Sequence, residues 1–218
     1  MTREEKQNAL KEIAAEVERC QLCPLYQTGT RGVPGEGNPD AEILFVGEGP
    51  GQKEDELGRP FVGAAGKLLE ELLHHIGLTR NDVYIANVIK HRPPGNRDPL
   101  PDELEACWPY LRRQITIIQP KVIVTLGRHS LARFLPGKVI SQVHGKPFRV
   151  GSLVYFPMYH PAAALYSGSL KPVLFEDIAK LPKVLTMIRE GAVISAGEVV
   201  PPPPPDDRGP TQGSLLSS

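Results

Sequence analysis

Short apolar runs, each closed by a turn and separated from the next by a helical stretch, limit most strongly what this chain can fold into. Residues 41–46 (Ala-Glu-Ile-Leu-Phe-Val), 83–88 and 121–126 have the length and composition of buried strands, and Gly47 and Gly127 end the first and third. Residues 147–150 and 153–157 read as a hairpin turning at Gly151-Ser152, whose second arm enters the sheet. Between the runs, residues 63–76 place Leu68, Leu69, Leu72 and Leu73 on one helical face, residues 102–118 form another helical stretch, and a short helix runs through Phe134. A first helix over residues 4–19 carries Leu10, Ile13 and Val17, and a last one spans residues 170–189. Strands alternating with helices predict an α/β fold, a three-layer α/β/α sandwich around a central, mainly parallel four-stranded sheet.

The 218 residues suffice for one core. Residues 1–194 are expected to form the domain. From 195 to 218 the composition changes to an unbroken proline run, Pro201 to Pro205, flanked by Gly, Ser and Asp, and that segment is expected to be a disordered tail. No run has transmembrane length and the first residues lack a signal-peptide pattern, so a soluble cytoplasmic protein, with no membrane partner and monomeric, is expected. A formal net charge of zero argues against strong non-specific binding to nucleic acid. Charge is nonetheless local: Lys90, Arg92 and Arg97 cluster around Pro93, Pro94, Gly95 and Asn96. That stretch reads either as a basic patch or as a solvated loop.

In parallel sheets, functional side chains gather at the carboxyl ends of the strands. One such segment is Gly47-Glu48-Gly49-Pro50-Gly51, followed by Glu54 and Phe61, where the glycines let backbone approach a ligand. Another is Asn87, an amide able to donate and accept at the end of an apolar strand. The basic loop from Lys90 to Pro99 is a third. The fourth is His160-Pro161, directly after the last strand, where a capping role competes with a catalytic one.

Three cysteines make up the thiol inventory, two of them in Cys20-Gln21-Leu22-Cys23 and the third, Cys107, on the helix over 102–118. Thiolates two residues apart converge on one metal centre, and both zinc and cubane clusters call for four protein ligands, so the set is one ligand short. A thioredoxin-like pair would open a helix after a strand, whereas this motif follows a helix and leads into Gly/Pro-rich chain. Idle surface thiols are the remaining reading. An odd, small number of cysteines fits a reducing compartment.

Five separated motifs occur in the order seen in one family. They are Gly47-Glu48-Gly49-Pro50-Gly51, Gly58-Arg59-Pro60-Phe61-Val62-Gly63, Asn87-Val88-Ile89-Lys90, Arg92-Pro93-Pro94-Gly95-Asn96-Arg97 and His160-Pro161. Together they resemble the uracil-DNA glycosylase superfamily, specifically its family 4, the iron-sulfur-containing bacterial and archaeal enzymes. The resemblance implies hydrolysis of the N-glycosidic bond of deoxyuridine in single- or double-stranded DNA, with the base flipped into a pocket and an abasic site left behind. Phe61 would stack on uracil, Asn87 would pair with its O4 and N3–H edge, and His160 would donate to O2 as charge develops on the leaving base. Gly47 and Gly49 would line the base pocket.

Better-known relatives carry an aspartate where Gly49 stands, so Glu48 is the expected water-activating group. Glu54 and Asn96 would orient water or the sugar phosphate; for Glu54 a mere brace of the loop through backbone N–H groups is the competing reading. Lys90, Arg92 and Arg97 would hold phosphates, and Ala164 and Leu165 would supply an apolar wedge. The family pattern has a cysteine immediately before Arg-Pro-Pro, and here His91 occupies that place. The resemblance therefore implies a 4Fe-4S cluster on Cys20, Cys23, His91 and Cys107, with zinc as the alternative. A catalytically inactive or covalently trapping uracil-DNA-binding protein is the alternative function; the trapping class uses a histidine in an inserted basic loop, and residues 97–103 contain neither.

Overall fold

A computed structural model gives the fold and describes residues 1–192 and residue 194. The proline-rich segment 195–218 lies outside the described residues. In chain order the elements are α1 (Arg3–Glu18), β1 (Glu36–Gly37), β2 (Ile43–Gly47), α2 (Gln52–Leu57), α3 (Ala64–His75), β3 (Tyr84–Asn87), α4 (Pro101–Ile118), β4 (Val122–Leu126), α5 (Arg128–Phe134), α6 (Ile140–Val143), β5 (Phe148–Val150), β6 (Leu153–Met158), α7 (Pro161–Tyr166), α8 (Leu170–Ile178) and α9 (Leu181–Arg189). Short 3-10 turns occupy Pro24–Gln27 and Pro94–Asn96.

The sheet runs β1-β3-β2-β4-β6-β5. Its four inner strands, β3, β2, β4 and β6, are parallel, as the alternation with helices predicts. The expected count of four is corrected to six, because an antiparallel strand closes each edge: β1 beside β3 and β5 beside β6. β1 is two residues long in Gly/Pro-rich chain, too short for any periodicity, while β5 is the first arm of the hairpin. The last helical stretch is also two helices. Pro182 in the first turn of α9 has no N–H to donate back toward α8 and suits a helix start, and the break falls there.

Alternate residues of β2 point to opposite faces and build two cores. Ile43 and Phe45 face α3, α7, α8 and α9, packing with Leu69, Leu72, Leu174 and Leu181. Leu44 and Val46 face α1, α4, α5 and α6, packing with Leu10, Leu111, Leu131 and Val143. α1 begins at a Thr2–Glu5 capping box and lies on α4 through Ile13, Val17 and Tyr110. The chain leaves β2 for β3 on one side and then crosses to β4 on the other, so the crevice at the carboxyl ends lies at the switch of direction. Among the described residues no helix is long and apolar enough to cross a membrane.

Because Phe45 is wholly buried at the centre of this sheet, Phe45→Ala should lower the unfolding free energy by about 3–5 kcal/mol with an unchanged urea m-value. A loss below 1 kcal/mol, roughly the cost of an ordinary surface change, would show that Phe45 is not at the core.

Candidate active site and cysteine corner

The carboxyl ends of β2, β3, β4 and β6 open into a cavity of about 590 Å³, lined among others by Glu48, Gly49, Glu54, Phe61, Asn87, Gly127, His160 and Tyr166. All four sequence-predicted segments therefore converge there, the basic loop through Pro93, Asn96 and Arg97. Asn87 ends β3 and is buried; its Oδ1 has no hydrogen-bond partner among the described residues. A buried acceptor without a partner costs stability, and this one lies on a ligand-sized cavity. Phe61 stacks on His160 with ring centroids 5.5 Å apart and 24° between planes. Gly47 is required under both groups: a Cβ there would stand 2.5 Å from Asn87 Oδ1 and 2.6 Å from Phe61 Cζ.

His160 caps α7 through Nδ1, which accepts from the Ala162 N–H at 3.1 Å. An accepting Nδ1 leaves the proton of the neutral ring on Nε2. Burial pushes the His160 pKa down to about 4, with Glu54 acting weakly the other way, so the ring is neutral at physiological pH. The capping and catalytic readings of His160 are thus compatible, because the cap fixes the tautomer that presents an Nε2–H donor.

Glu48 follows β2, and burial pushes its carboxyl above the ordinary range while His129 pulls it down. His129 Nε2 is 3.8 Å from Glu48 and 3.3 Å from Asp98, and Asp98 also pairs with Arg128. Donor atoms of Glu48, Asp98 and His129 all lie within 4.8 Å of one another. The sequence reading missed Asp98, Arg128 and His129. Yet His129 comes two residues after the glycine that ends β4, the same strand-end position that singled out Glu48 and His160. Glu54 accepts from the Val62 and Gly63 N–H groups at 2.8 Å each, the geometry of a loop brace, and it also lines the cavity.

At the rim, Asn96 is exposed and accepts from Arg92 Nε at 2.7 Å. Arg97 lines the cavity but is held by Glu103 through two bonds of 2.6 and 2.9 Å. Lys90 is not at the DNA-facing surface as expected. Its side chain is fully buried, and Nζ donates to Pro34 O, Asn87 O and Gln114 Oε1 at 3.1, 3.0 and 2.9 Å. Desolvation lowers its pKa to about 8. The sequence put Lys90 in a basic run, but the run's first residue lies three residues past β3 and turns inward. Leu165 is half exposed at the end of α7, whereas Ala164 is buried and unable to act as a wedge. Tyr166, missed in the sequence, is 93 % exposed and lines the cavity mouth.

The cysteines meet on the α4 side. Cys107 is buried with Leu25 and Ile89 and against Cys23, and it donates to the Cys23 sulfur, a contact that lowers the Cys23 pKa to about 7. The Lys90 backbone N–H donates to Cys107 Sγ at 3.3 Å, and the next residue, His91, is buried, which lowers its pKa and keeps its imidazole neutral and able to ligate. Cys20 packs beside Tyr110. The donor atoms of no three of these four residues come within 4.8 Å of one another among the described residues. One tetrahedral zinc with bonds of about 2.3 Å would hold them roughly 3.8 Å apart. A cubane seats each ligand on a different iron and spaces them more widely, and three thiols with a neutral imidazole are donors that suit either group.

A family model described as the uracil DNA glycosylase superfamily matches residues 34–180, which carry the sheet and every cavity residue named above. The chain is 52% identical over 185 residues to a type-4 uracil-DNA glycosylase of Sulfurisphaera tokodaii, covering 80% of this chain and 84% of that protein. It is 50% identical over 185 residues to one of Thermotoga maritima, covering 82% and 94%. A type-5 uracil-DNA glycosylase of Thermus thermophilus is 34% identical over 143 residues, covering 59% and 64%. The chain belongs to the type-4 uracil-DNA glycosylases within that superfamily.

The His160 geometry has a direct readout. In a nitrogen-15 NMR titration, His160 should keep a protonated Nε2 and a bare Nδ1 down to about pH 4. Because the folded pKa lies below the ordinary 6.5, its contribution to stability is complete above that value and is lost as the pH falls toward about 4. A doubly protonated His160 ring at pH 6 would contradict the assignment.

Proposed function

We propose that this protein is a monofunctional uracil-DNA glycosylase, hydrolysing the N-glycosidic bond of deoxyuridine in DNA and leaving an abasic site for base excision repair. The observation that carries the reading is the buried, unpartnered Asn87 Oδ1 on a cavity shared with Phe61 and a neutral, Nε2-protonated His160. Uracil presents an N3–H donor and an O4 acceptor, which meet the Asn87 carbonyl and amide in turn. Cytosine presents an acceptor and a donor at those atoms, and would leave both sides of the buried pair unsatisfied.

As the glycosidic bond lengthens, its electrons pass to the base and negative charge grows on O2, where the His160 Nε2–H donates. No proton need move, since a neutral donor in a water-poor site stabilises an oxyanion by its fixed dipole. The sugar becomes oxocarbenium-like. Glu48, whose carboxyl burial pushes above its ordinary range while His129 beside it favours the charged form, stabilises that charge and orients the water that adds to the anomeric carbon. Glu54 supports this through the 61–63 loop, and Asn96 does so from the rim. Gly49 lies against Ile89, where a Cβ would stand 2.7 Å from the Ile89 side chain.

Arg92 and Arg97 hold phosphates in this reading, with Arg128 beside them, and binding weakens as salt rises. Leu165 and the exposed Tyr166 fill the stack vacated by the flipped base in single- or double-stranded substrate. Cys20, Cys23, Cys107 and His91 hold a 4Fe-4S cluster whose role is structural, cross-linking the N-terminal loop, the chain after β3 and α4. The protein acts as a cytosolic monomer.

Two experiments test this. The purified protein should release uracil from single-stranded and U·G oligonucleotides, and Asn87→Ala and His160→Ala should each cut the single-turnover rate by roughly 10²–10³-fold. The absence of any alkali-labile product with either substrate would overturn the enzyme reading. Prepared anaerobically, the protein should be brown with broad absorbance near ~400 nm, and His91→Ala should lower its iron content while His91→Cys retains it. Colourless, iron-free protein carrying one zinc, or unchanged iron in His91→Ala, would remove the cluster assignment.

A further inference from the structure

Phe61 has a positive φ of 52°, a backbone conformation that a bulky side chain adopts only where its surroundings impose it. The surroundings here grip the turn from both sides. On the N–H side, one Glu54 oxygen accepts from Val62 and Gly63 at 2.8 Å each. On the carbonyl side, the Arg80 guanidinium donates to Pro60 O at 2.6 Å and to Phe61 O at 2.8 Å. Beneath the turn, α3 comes so close at Gly66 that a Cβ there would lie 1.9 Å from the Phe61 carbonyl oxygen.

Arg80 is itself held from outside the active site. Glu36, on the edge strand β1, accepts from Arg80 at 2.7 Å and takes a two-pronged grip from Arg59 at 2.7 and 2.9 Å; Glu70 of α3 stands 3.4 Å from Arg80 on the other side. Burial would raise the Glu36 carboxyl, but the bonds from Arg59 and Arg80 hold it below its ordinary value, so this brace is charged at neutral pH. Arg80 lines a second cavity, of about 710 Å³, together with Glu36 and Arg59 and apart from the catalytic cleft. A planar fork with several donors suits two adjacent carbonyls and two carboxylates, and a lysine could not serve them together.

We propose that Arg80, braced by Glu36, is a positioning residue for base recognition: it holds the Phe61 turn in its left-handed form, with the ring over Gly47 and against His160. This rests on the glycosylase reading, in which that ring stacks on the flipped uracil. Releasing the two carbonyls lets Phe61 relax to negative φ and swings the ring off its place. The cost falls on the flipped base and not on the DNA backbone, because Arg80 touches neither the rim arginines nor the strand-end carboxylates.

The test uses Arg80→Lys and, since that variant loses packing as well as bonds, also Glu36→Gln, which keeps the guanidinium and removes its brace. Two probes are compared: an oligonucleotide carrying 2′-fluoro-deoxyuridine, whose glycosidic bond resists cleavage, and one carrying a tetrahydrofuran abasic site with no base to stack. Arg80→Lys should weaken binding to the first by about tenfold, as expected for one lost base–aromatic stack, and leave the second unchanged. Glu36→Gln should act in the same direction, more weakly. The His160 ring-proton resonances should move toward those of Phe61→Ala, and in a Phe61→Ala background Arg80→Lys should add nothing.

Equal loss on both probes, or unchanged binding with unchanged His160 resonances, would overturn the positioning role. Failure of the wild-type protein to prefer the deoxyuridine analogue over thymidine DNA would overturn the glycosylase reading instead, and the His160 resonances would still decide whether Arg80 places Phe61.

Discussion

One buried ammonium ties the functional regions of this molecule together. Lys90 Nζ binds the carbonyl of Asn87, the carbonyl of Pro34 in the chain before β1 and the amide oxygen of Gln114 on α4, while its backbone N–H reaches Cys107. A cation inside a protein is tolerated only when its donors are matched, and three matched acceptors from three segments fix where those segments lie. Asn87 is thereby anchored on one side of Lys90, and the cysteine corner begins on the other with His91. The base pocket and the proposed cluster site are joined through this short stretch of chain.

On this frame the cavity follows a consistent logic of polar groups that are fixed but unspent. Asn87 presents an acceptor with no partner among the described residues, and His160 uses Nδ1 on its own helix so that only its Nε2–H faces outward. Glu48 is half buried and balanced between the cost of its charge and the presence of His129. Each group is oriented before any substrate arrives, which is the condition under which a hydrogen bond stabilises a developing charge without reorganisation. Phe61 shares this property, since its strained backbone is clamped on both sides of the turn.

Much of this was legible in the chain. The parallel strands announce themselves as apolar runs because a strand buried on both faces has no polar alternation, and Asn87 and His160 stand out as polar residues where such runs stop. Lys90 was misplaced because a local run of basic residues says nothing about which way each side chain turns. His129 and Asp98 were missed because they are 31 residues apart, one before α4 and the other in the first turn of α5, and meet only in the folded chain. The helix break at Pro182 was visible but outweighed by the continuous apolar periodicity around it.

By itself the sequence determined the alternation of strands and helices, the strand ends where chemistry could sit, and the motif order that marks a uracil-DNA glycosylase. These are properties of periodicity, turn chemistry and residue identity, all short-range along the chain. Tertiary structure alone decided that Lys90 lies inside, that Glu54 grips the Phe61 turn, that His129 stands beside Glu48 and that Arg80 reaches from the loop before β3 to two carbonyls. Such pairings depend on which strand neighbours which and on how closely α3 approaches the turn at Gly66. Distances through space are set by packing, and no local pattern encodes them.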